Sequence, residues 1–346
     1  MNDLIIEIIQ PDDWHIHLRE GKVLNTVSKF SSRINNRCIV MPNLTNPITT
    51  SFLAEKYISE IKKTFTTKSF TPLIPCYLTD TLNLKDFELG LDKKTFVGAK
   101  LYPQNVTNNS SYGVTKLENI YSALEILEKK NKILLVHGEK SDKNIDIFDR
   151  EKSFVDDELK NIRKRFPDLR VVLEHISTKY GADYVAQNKK MGGTITPQHM
   201  LLTKKDVYLK EEIDPFSYCM PIVKEEKDLI ALRNYACSGH ESFFLGTDSA
   251  PHEVKNKNLN DNMKPGIFSS PASLELYAEI FDQENAINKL ENFSSINGPK
   301  FYGLPVNKDK IKISKQSWHL EEFTMENDIK IKNFFGGKKL NWKVIQ

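Results

Sequence analysis

The chain has 346 residues, 39% of them hydrophobic, and a formal charge of +3 from 49 basic and 46 acidic side chains spread along its length. That is apolar material for a large core, in one big α/β domain or two modest ones. No stretch approaches the ~18 apolar residues of a membrane span, no basic block interleaves with aromatics as a nucleic-acid groove needs, and Met1-Asn2-Asp3 runs into a strand-like segment without a secretory signal. The expectation is a cytoplasmic protein with neither membrane nor nucleic acid as partner. Its four scattered cysteines, Cys38, Cys76, Cys219 and Cys237, form no Cys-x-x-Cys and read as reduced thiols in or beside apolar runs.

Taken in chain order, strand-like runs are predicted at 4–9, 37–41, 70–78, 95–101, 132–137, 169–176, 193–196 and 242–247. Helix-like segments lie between most of them. In the clearest, Leu117, Ile120, Tyr121, Leu124 and Leu127 recur at three- and four-residue steps and define one apolar face. Strand then helix, repeated eight times, predicts a (β/α)₈ TIM barrel, whose functional groups gather at the C-terminal ends of the strands. A doubly wound open sheet is the competing architecture, but it calls for a Gly-rich phosphate turn after an early strand, and none is present. Beyond the eighth run, Ser270-Pro271 reads as N-cap and first helical position of a helix carrying Leu274, Tyr277, Ile280 and Phe281. The remainder alternates short apolar and charged stretches around Gly336-Gly337. The expectation is one domain over 1–346, with a barrel to about residue 300 and an extended C-terminal appendage from about 301.

Chemistry enters at Asp13-Trp14-His15-Ile16-His17-Leu18-Arg19. Side chains alternate faces in an extended backbone, so His15 and His17 point the same way and can grip one metal. Four later runs end in further candidates: Lys100, His137, His175 and Asp248. Four imidazoles and one carboxylate suit zinc, and five ligands are too many for one tetrahedral site that keeps a position for water. Two metals are implied, and a close pair needs a bridging anion. The ammonium of Lys100 would repel both ions, unless its deprotonated amine adds carbon dioxide and becomes a carbamate with two anionic oxygens.

This ligand pattern resembles the amidohydrolase superfamily. Within it the chain is similar to the short, class II dihydroorotases through Asp13 to Arg19, Met41-Pro42-Asn43, Ala99-Lys100-Leu101-Tyr102-Pro103, Leu135-Val136-His137-Gly138-Glu139, Ile195-Thr196-Pro197-Gln198-His199, Gly246-Thr247-Asp248-Ser249-Ala250-Pro251-His252, and the run from Asn297 to Pro305. The resemblance implies that His15, His17 and Asp248 bind one zinc and His137 and His175 the other, with carboxylated Lys100 and a hydroxide bridging them. It implies Asp248 as general acid/base in the reversible closure of N-carbamoyl-L-aspartate to L-dihydroorotate, and a homodimer. Arg19, Asn43 and His252 match positions that hold the substrate carboxylate, and a planar guanidinium suits a bidentate contact. Thr107, in a lid-like loop where related enzymes often have two threonines and this chain has Asn108 second, and the backbone at Met220 and Pro265 are the further expected contacts. His199 reads as a supporting or buried structural residue, His240 and His319 as surface. The nearest rival is another cyclic-amide hydrolase, a dihydropyrimidinase or hydantoinase, which usually builds a β-sandwich partly from residues ahead of the His-x-His; fourteen residues precede it here. A catalytically dead barrel is the rival from another class, and the complete ligand set argues against it.

Overall fold

The computed structural model describes residues 4–65, 70–209, 212–258, 263–326 and 328–345. Eight parallel strands, Asp12–Ile16, Arg37–Val40, Thr71–Tyr77, Phe96–Leu101, Ile133–Val136, Arg170–Leu173, Met191–Ile195 and Phe243–Leu245, pair in sequence order. Helices return the chain between them, giving a (β/α)₈ barrel. Several open on side-chain caps that the sequence supplies locally: Thr50 accepts from the Leu53 amide, Asn83 from Lys85 and Asp86, and Thr178 from Gly181. The predicted stripe holds, with Leu117, Ile120, Leu124 and Leu127 buried against the barrel and Tyr121 half-buried beside them. Ser270 does not cap a helix. Pro271 sits in a short 3₁₀ turn, Ser270–Ala272, that leads into Ser273–Gln283 without a side-chain cap bond.

The first predicted strand is displaced from its expected place. Ile5–Ile9 stays outside the barrel and pairs antiparallel with Lys310–Ser314, which in turn pairs with Lys343–Ile345. The first barrel strand is Asp12–Ile16, the His-x-His segment itself. Its two aspartates disguise it, because every residue of it is buried and no apolar–polar alternation survives. Asp12 is satisfied by Arg37 of the next strand, whose Nε lies 2.9 Å and Nη2 2.5 Å from its two oxygens.

Two features fix the site. At the lower end the barrel is filled by Trp14, Ile39, Met41, Ile133, Leu135, Val172, Phe244 and Tyr302. Helix Asn297–Tyr302 closes that mouth: Tyr302 stacks on Trp14 at 4.2 Å and 10°, and Arg170, which opens its strand, donates to the Phe301 carbonyl at 2.6 Å. A Cβ on Gly298 would come within 1.8 Å of the Trp14 indole nitrogen, so only glycine permits the approach. The Asn297-to-Pro305 motif is therefore a stopper and lies away from the candidate ligands.

The second feature is the seam between the last strand and the first. Among the described residues the seam has a single bridge, Ile16 with Ser249 just past the last strand, flanked by the His17 amide to the Ser249 carbonyl at 3.0 Å and the Asp248 amide to the His15 carbonyl at 2.9 Å. Asp13 completes the closure from below: Oδ1 accepts from the His15 amide at 3.1 Å and the Thr247 amide at 2.9 Å, and Oδ2 from the Thr247 hydroxyl at 2.6 Å. Burial raises its carboxyl to about 6, against the pull of those same bonds. Asp13→Ala leaves buried donors without acceptors and lowers stability by about 2–4 kcal/mol, while Asp13→Asn, which keeps one oxygen, loses less. Thermal unfolding of the two variants checks this, and an unchanged Tm in Asp13→Ala contradicts it.

Candidate active site

At the C-terminal end of the barrel, Nε2 of His15 and Nε2 of His17 lie 3.4 Å apart, and Asp248 Oδ1 sits 3.3 Å from the first and 3.2 Å from the second. These donor atoms fall within 4.8 Å of one another. The His175 ring centroid lies 4.9 Å from that of His15 and 4.6 Å from that of His137, so the four imidazoles form one continuous cluster. Lys100 is fully buried beside them with its ammonium 4.6 Å from the centre of the Tyr102 ring. All six predicted metal residues thus converge.

Backbone geometry explains how. His137 follows Ile133 and Leu135 on the inward face of its strand. On the sixth strand Val172 faces in, so alternation carries Glu174 inward and sends His175 toward the helices. A left-handed turn at His175, φ 42°, brings its ring back over the barrel mouth; Asp248 at φ 45° and Arg19 at φ 61° are turned in the same way. Such residues cost of order 1–3 kcal/mol each outside glycine, and all three stand at this one site.

Glu174 is the residue that the sequence reading missed. It is buried, pairs with the Lys100 ammonium, and places Oε1 2.9 Å from His15 Nδ1. Its sequence signal was the register Val172, Glu174, which predicts an inward carboxylate. Glu139 was missed too. Its Oε2 lies 2.9 Å from His137 Nε2, and Lys224 Nζ lies 4.0 Å from its other oxygen. Each holds one ring nitrogen of a clustered imidazole, which fixes the ring.

The electrostatics favour a cation. Burial opposes charge on His15, yet Glu174 and Asp248 outweigh it and hold the imidazolium up to about 9. Burial, then the charge of Arg19, presses His17 down to about 3. Burial also lowers Lys100, with Glu174 pulling the other way. Asp248 remains ionised well below the usual carboxylate range, because its bonds to His15 and His17 overcome burial. His175 Nδ1 is buried with no hydrogen-bond partner among the described residues. Nitrogen donors crowded around ionised carboxylates, one of them unpartnered, fit a divalent metal.

Above the cluster, Arg19 Nε donates to the Pro251 carbonyl at 3.1 Å, and Nη2 lies 3.0 Å from His252 Nε2. Tyr57 fixes the turn by donating to the Arg19 carbonyl at 2.7 Å. Asn43 is buried, donates to the Asn108 carbonyl at 3.2 Å, and leaves its own Oδ1 without a partner. Asn108 donates at 3.0 Å to the Pro265 carbonyl and lies 3.2 Å from His252 Nε2. So Asn108, whose role the sequence alone leaves open, is the residue of this loop that reaches across, while the Thr107 backbone is tied into its own loop through Ser110. Met220 is half-buried next to Pro221, whose carbonyl lies 2.9 Å from His199 Nε2. His199 is structural, with Nδ1 2.7 Å from the Thr196 hydroxyl. His319 is exposed as expected, whereas His240 is half-buried against Phe243. Cys38, Cys76, Cys219 and Cys237 are free thiols, the last half-buried.

An eight-stranded barrel with a histidine and carboxylate cluster at its C-terminal mouth is the architecture of a metal-dependent amide hydrolase, and the amidohydrolase family model matches residues 7–318: the chain belongs to that family. Within it the relatives are dihydroorotases. That of Buchnera aphidicola subsp. Schizaphis graminum is 43% identical over 343 residues, 98% of this chain and 97% of the relative. That of Yersinia enterocolitica is 44% identical over 342 residues, again 98% and 97%. Among solved structures, dihydroorotase from Saccharomyces cerevisiae in complex with 5-fluoroorotic acid superposes with a TM-score of 0.90 at 29% identity, covering 99% of this chain and 98% of that one. The Campylobacter jejuni dihydroorotase gives 0.87 at 30% identity, covering 99% and 97%. An L-hydantoinase from Arthrobacter aurescens shares the fold at 0.81, but at 14% identity and with 82% of its own chain covered. No helix among the described residues is long and apolar enough to cross a membrane.

Proposed function

We propose that the protein is a dihydroorotase that interconverts N-carbamoyl-L-aspartate and L-dihydroorotate, with loss of water in the direction of ring closure, in de novo pyrimidine biosynthesis. The observation that carries this reading is the stacking of two layers at one barrel mouth: an acid and imidazole cluster below, and Arg19, Asn43 and His252 above it. The reading makes the whole chain one catalytic unit, working as a homodimer in the cytoplasm.

His15, His17 and Asp248 would hold one zinc and His137 and His175 a second, with N6-carboxylated Lys100 between them. When bound, such a pair supplies hydroxide near neutral pH and polarises the acyl group under attack. The protein's own groups do the rest. Arg19, whose guanidinium is already oriented by Pro251 and His252, takes the substrate carboxylate that stays outside the reacting bond, with His252 and Asn43 as neighbours on that group. Backbone groups at Met220 and Pro265 hold the ring amides, and the loop carrying Thr107 and Asn108 shuts out bulk water. Asp248, with Oδ1 facing His15 and His17, takes the proton of the attacking hydroxide and returns it to the departing ring nitrogen. Ring closure runs these steps in reverse.

The test is ultraviolet absorbance of dihydroorotate consumed by purified zinc-loaded protein, with dihydrouracil and hydantoin in parallel. Dihydroorotate is consumed and the two uncharged rings are not, because they lack the carboxylate that Arg19, Asn43 and His252 hold. Turnover of dihydrouracil with none of dihydroorotate refutes the assignment.

A further inference from the structure

Lys257 takes no part in the chemistry above, yet it is 3% exposed and stands next to the substrate pocket. It follows the short 3₁₀ turn Val254–Asn256. Its Nζ lies 2.8 Å from the Gly266 carbonyl, 3.1 Å from that of Lys264 and 3.2 Å from that of Tyr218. An ammonium has three N–H donors, and these three carbonyls use them all. Taking the charge out of water is costly, and bonds of this charge-assisted kind offset the loss only when their geometry is held.

The carbonyls so gripped have a pattern. Lys264 and Gly266 flank Pro265, and successive carbonyls of an extended segment point to opposite sides. Holding those of 264 and 266 on Lys257 turns that of Pro265 the other way, where it accepts from His252 at 3.1 Å and Asn108 at 3.0 Å. The third carbonyl belongs to Tyr218, two residues before Met220, and it also accepts from the Gly266 amide at 3.0 Å. One side chain therefore joins the two loops that carry the Met220 and Pro265 backbone. Gly266 cannot be rebuilt to do this instead: at φ 147° a Cβ would stand 2.6 Å from the Ala250 carbonyl. The cation also acts through space. Burial first, then Arg19 and Lys257, hold His252 well below the usual imidazole range, so it meets the substrate neutral.

We propose that Lys257 is a positioning residue for substrate recognition, a buried ammonium that clamps the loops at 218–220 and 264–266 so that their backbone groups and His252 face the ring together. This rests on the substrate pocket described under the proposed function, and the test separates the two.

Lys257→Met keeps the length and apolar stem and removes the donors and charge. Steady-state kinetics of zinc-loaded enzyme on dihydroorotate is measured for this variant and for Arg19→Lys, with metal content and Tm alongside. Expected is a KM about tenfold higher in Lys257→Met with kcat within about twofold and the metal retained, since lost positioning weakens binding without touching the reacting groups. A native KM overturns the proposal, and so does a fall in kcat that tracks a loss of metal from folded protein. If Lys257→Met does not fold, Lys257→Gln, which keeps an amide N–H but loses the charge and the third donor, decides it: raised KM at native Tm supports the clamp, native KM refutes it. An unchanged KM in Arg19→Lys instead removes the pocket reading, whatever Lys257 does.

Discussion

Asp248→Asn loses turnover by ~10²-fold or more while the His15–His17 side of the site keeps part of its metal. Asparagine preserves the size of the side chain and one oxygen at the position that lies 3.3 Å from His15 and 3.2 Å from His17. What it cannot do is accept a proton and hand it on. Asp248 stands ready in the ionised form, which His15 and His17 hold although it is buried. Measuring kcat together with metal content separates the two roles. Near-native turnover with both metals bound would mean that the proton travels by another group, and the acid/base assignment would fall.

Lys100→Ala loses the metal pair and the activity together, and a short carboxylic acid in the buffer partly restores both by occupying the bridging position. The side chain is fully buried beside the imidazole cluster, so no surface lysine can stand in for it. In the metal-free protein, where Lys100 is an uncarboxylated ammonium, the same substitution also strands Glu174, and breaking a buried pair by removing one partner costs about 3–5 kcal/mol. Tm is therefore read with metal content and rate, since lost rate in an unfolded protein says nothing of bridging. A folded, fully metallated and active Lys100→Ala protein would refute the bridge.

The sequence disclosed the barrel and the six residues proposed to hold metal because both rest on local patterns: apolar runs at regular intervals, four of them ending in a candidate side chain. It misplaced the first strand because Asp12–Ile16 is buried along its whole length and begins with two aspartates, so its periodicity carries no signal, whereas Ile5–Ile9 looks like a strand and is one, in another sheet. Glu174 is readable from alternation with Val172, although a carboxylate at the end of a buried strand carries no motif of its own. That His175 would return to the same mouth was not readable, since it depends on one left-handed residue. Asn108 shows a third limit. Its partners His252 and Pro265 lie 144 and 157 residues away, and nothing in a hexapeptide loop announces them.

The seam between the first and last strands sets a condition on how the enzyme is made. Asp13 and Thr247 are separated by 234 residues, and His15, His17 and Asp248 meet only when that seam closes. A nascent chain leaving the ribosome carries the two histidines from the outset, yet it cannot assemble this ligand set until the eighth strand has emerged. Contacts so distant in sequence form late and slowly. On the proposed ligand set, stable capture of an ion here would be one of the last events of maturation, and a translation product that stops short of residue 248 would lack one of the three groups that meet at the seam.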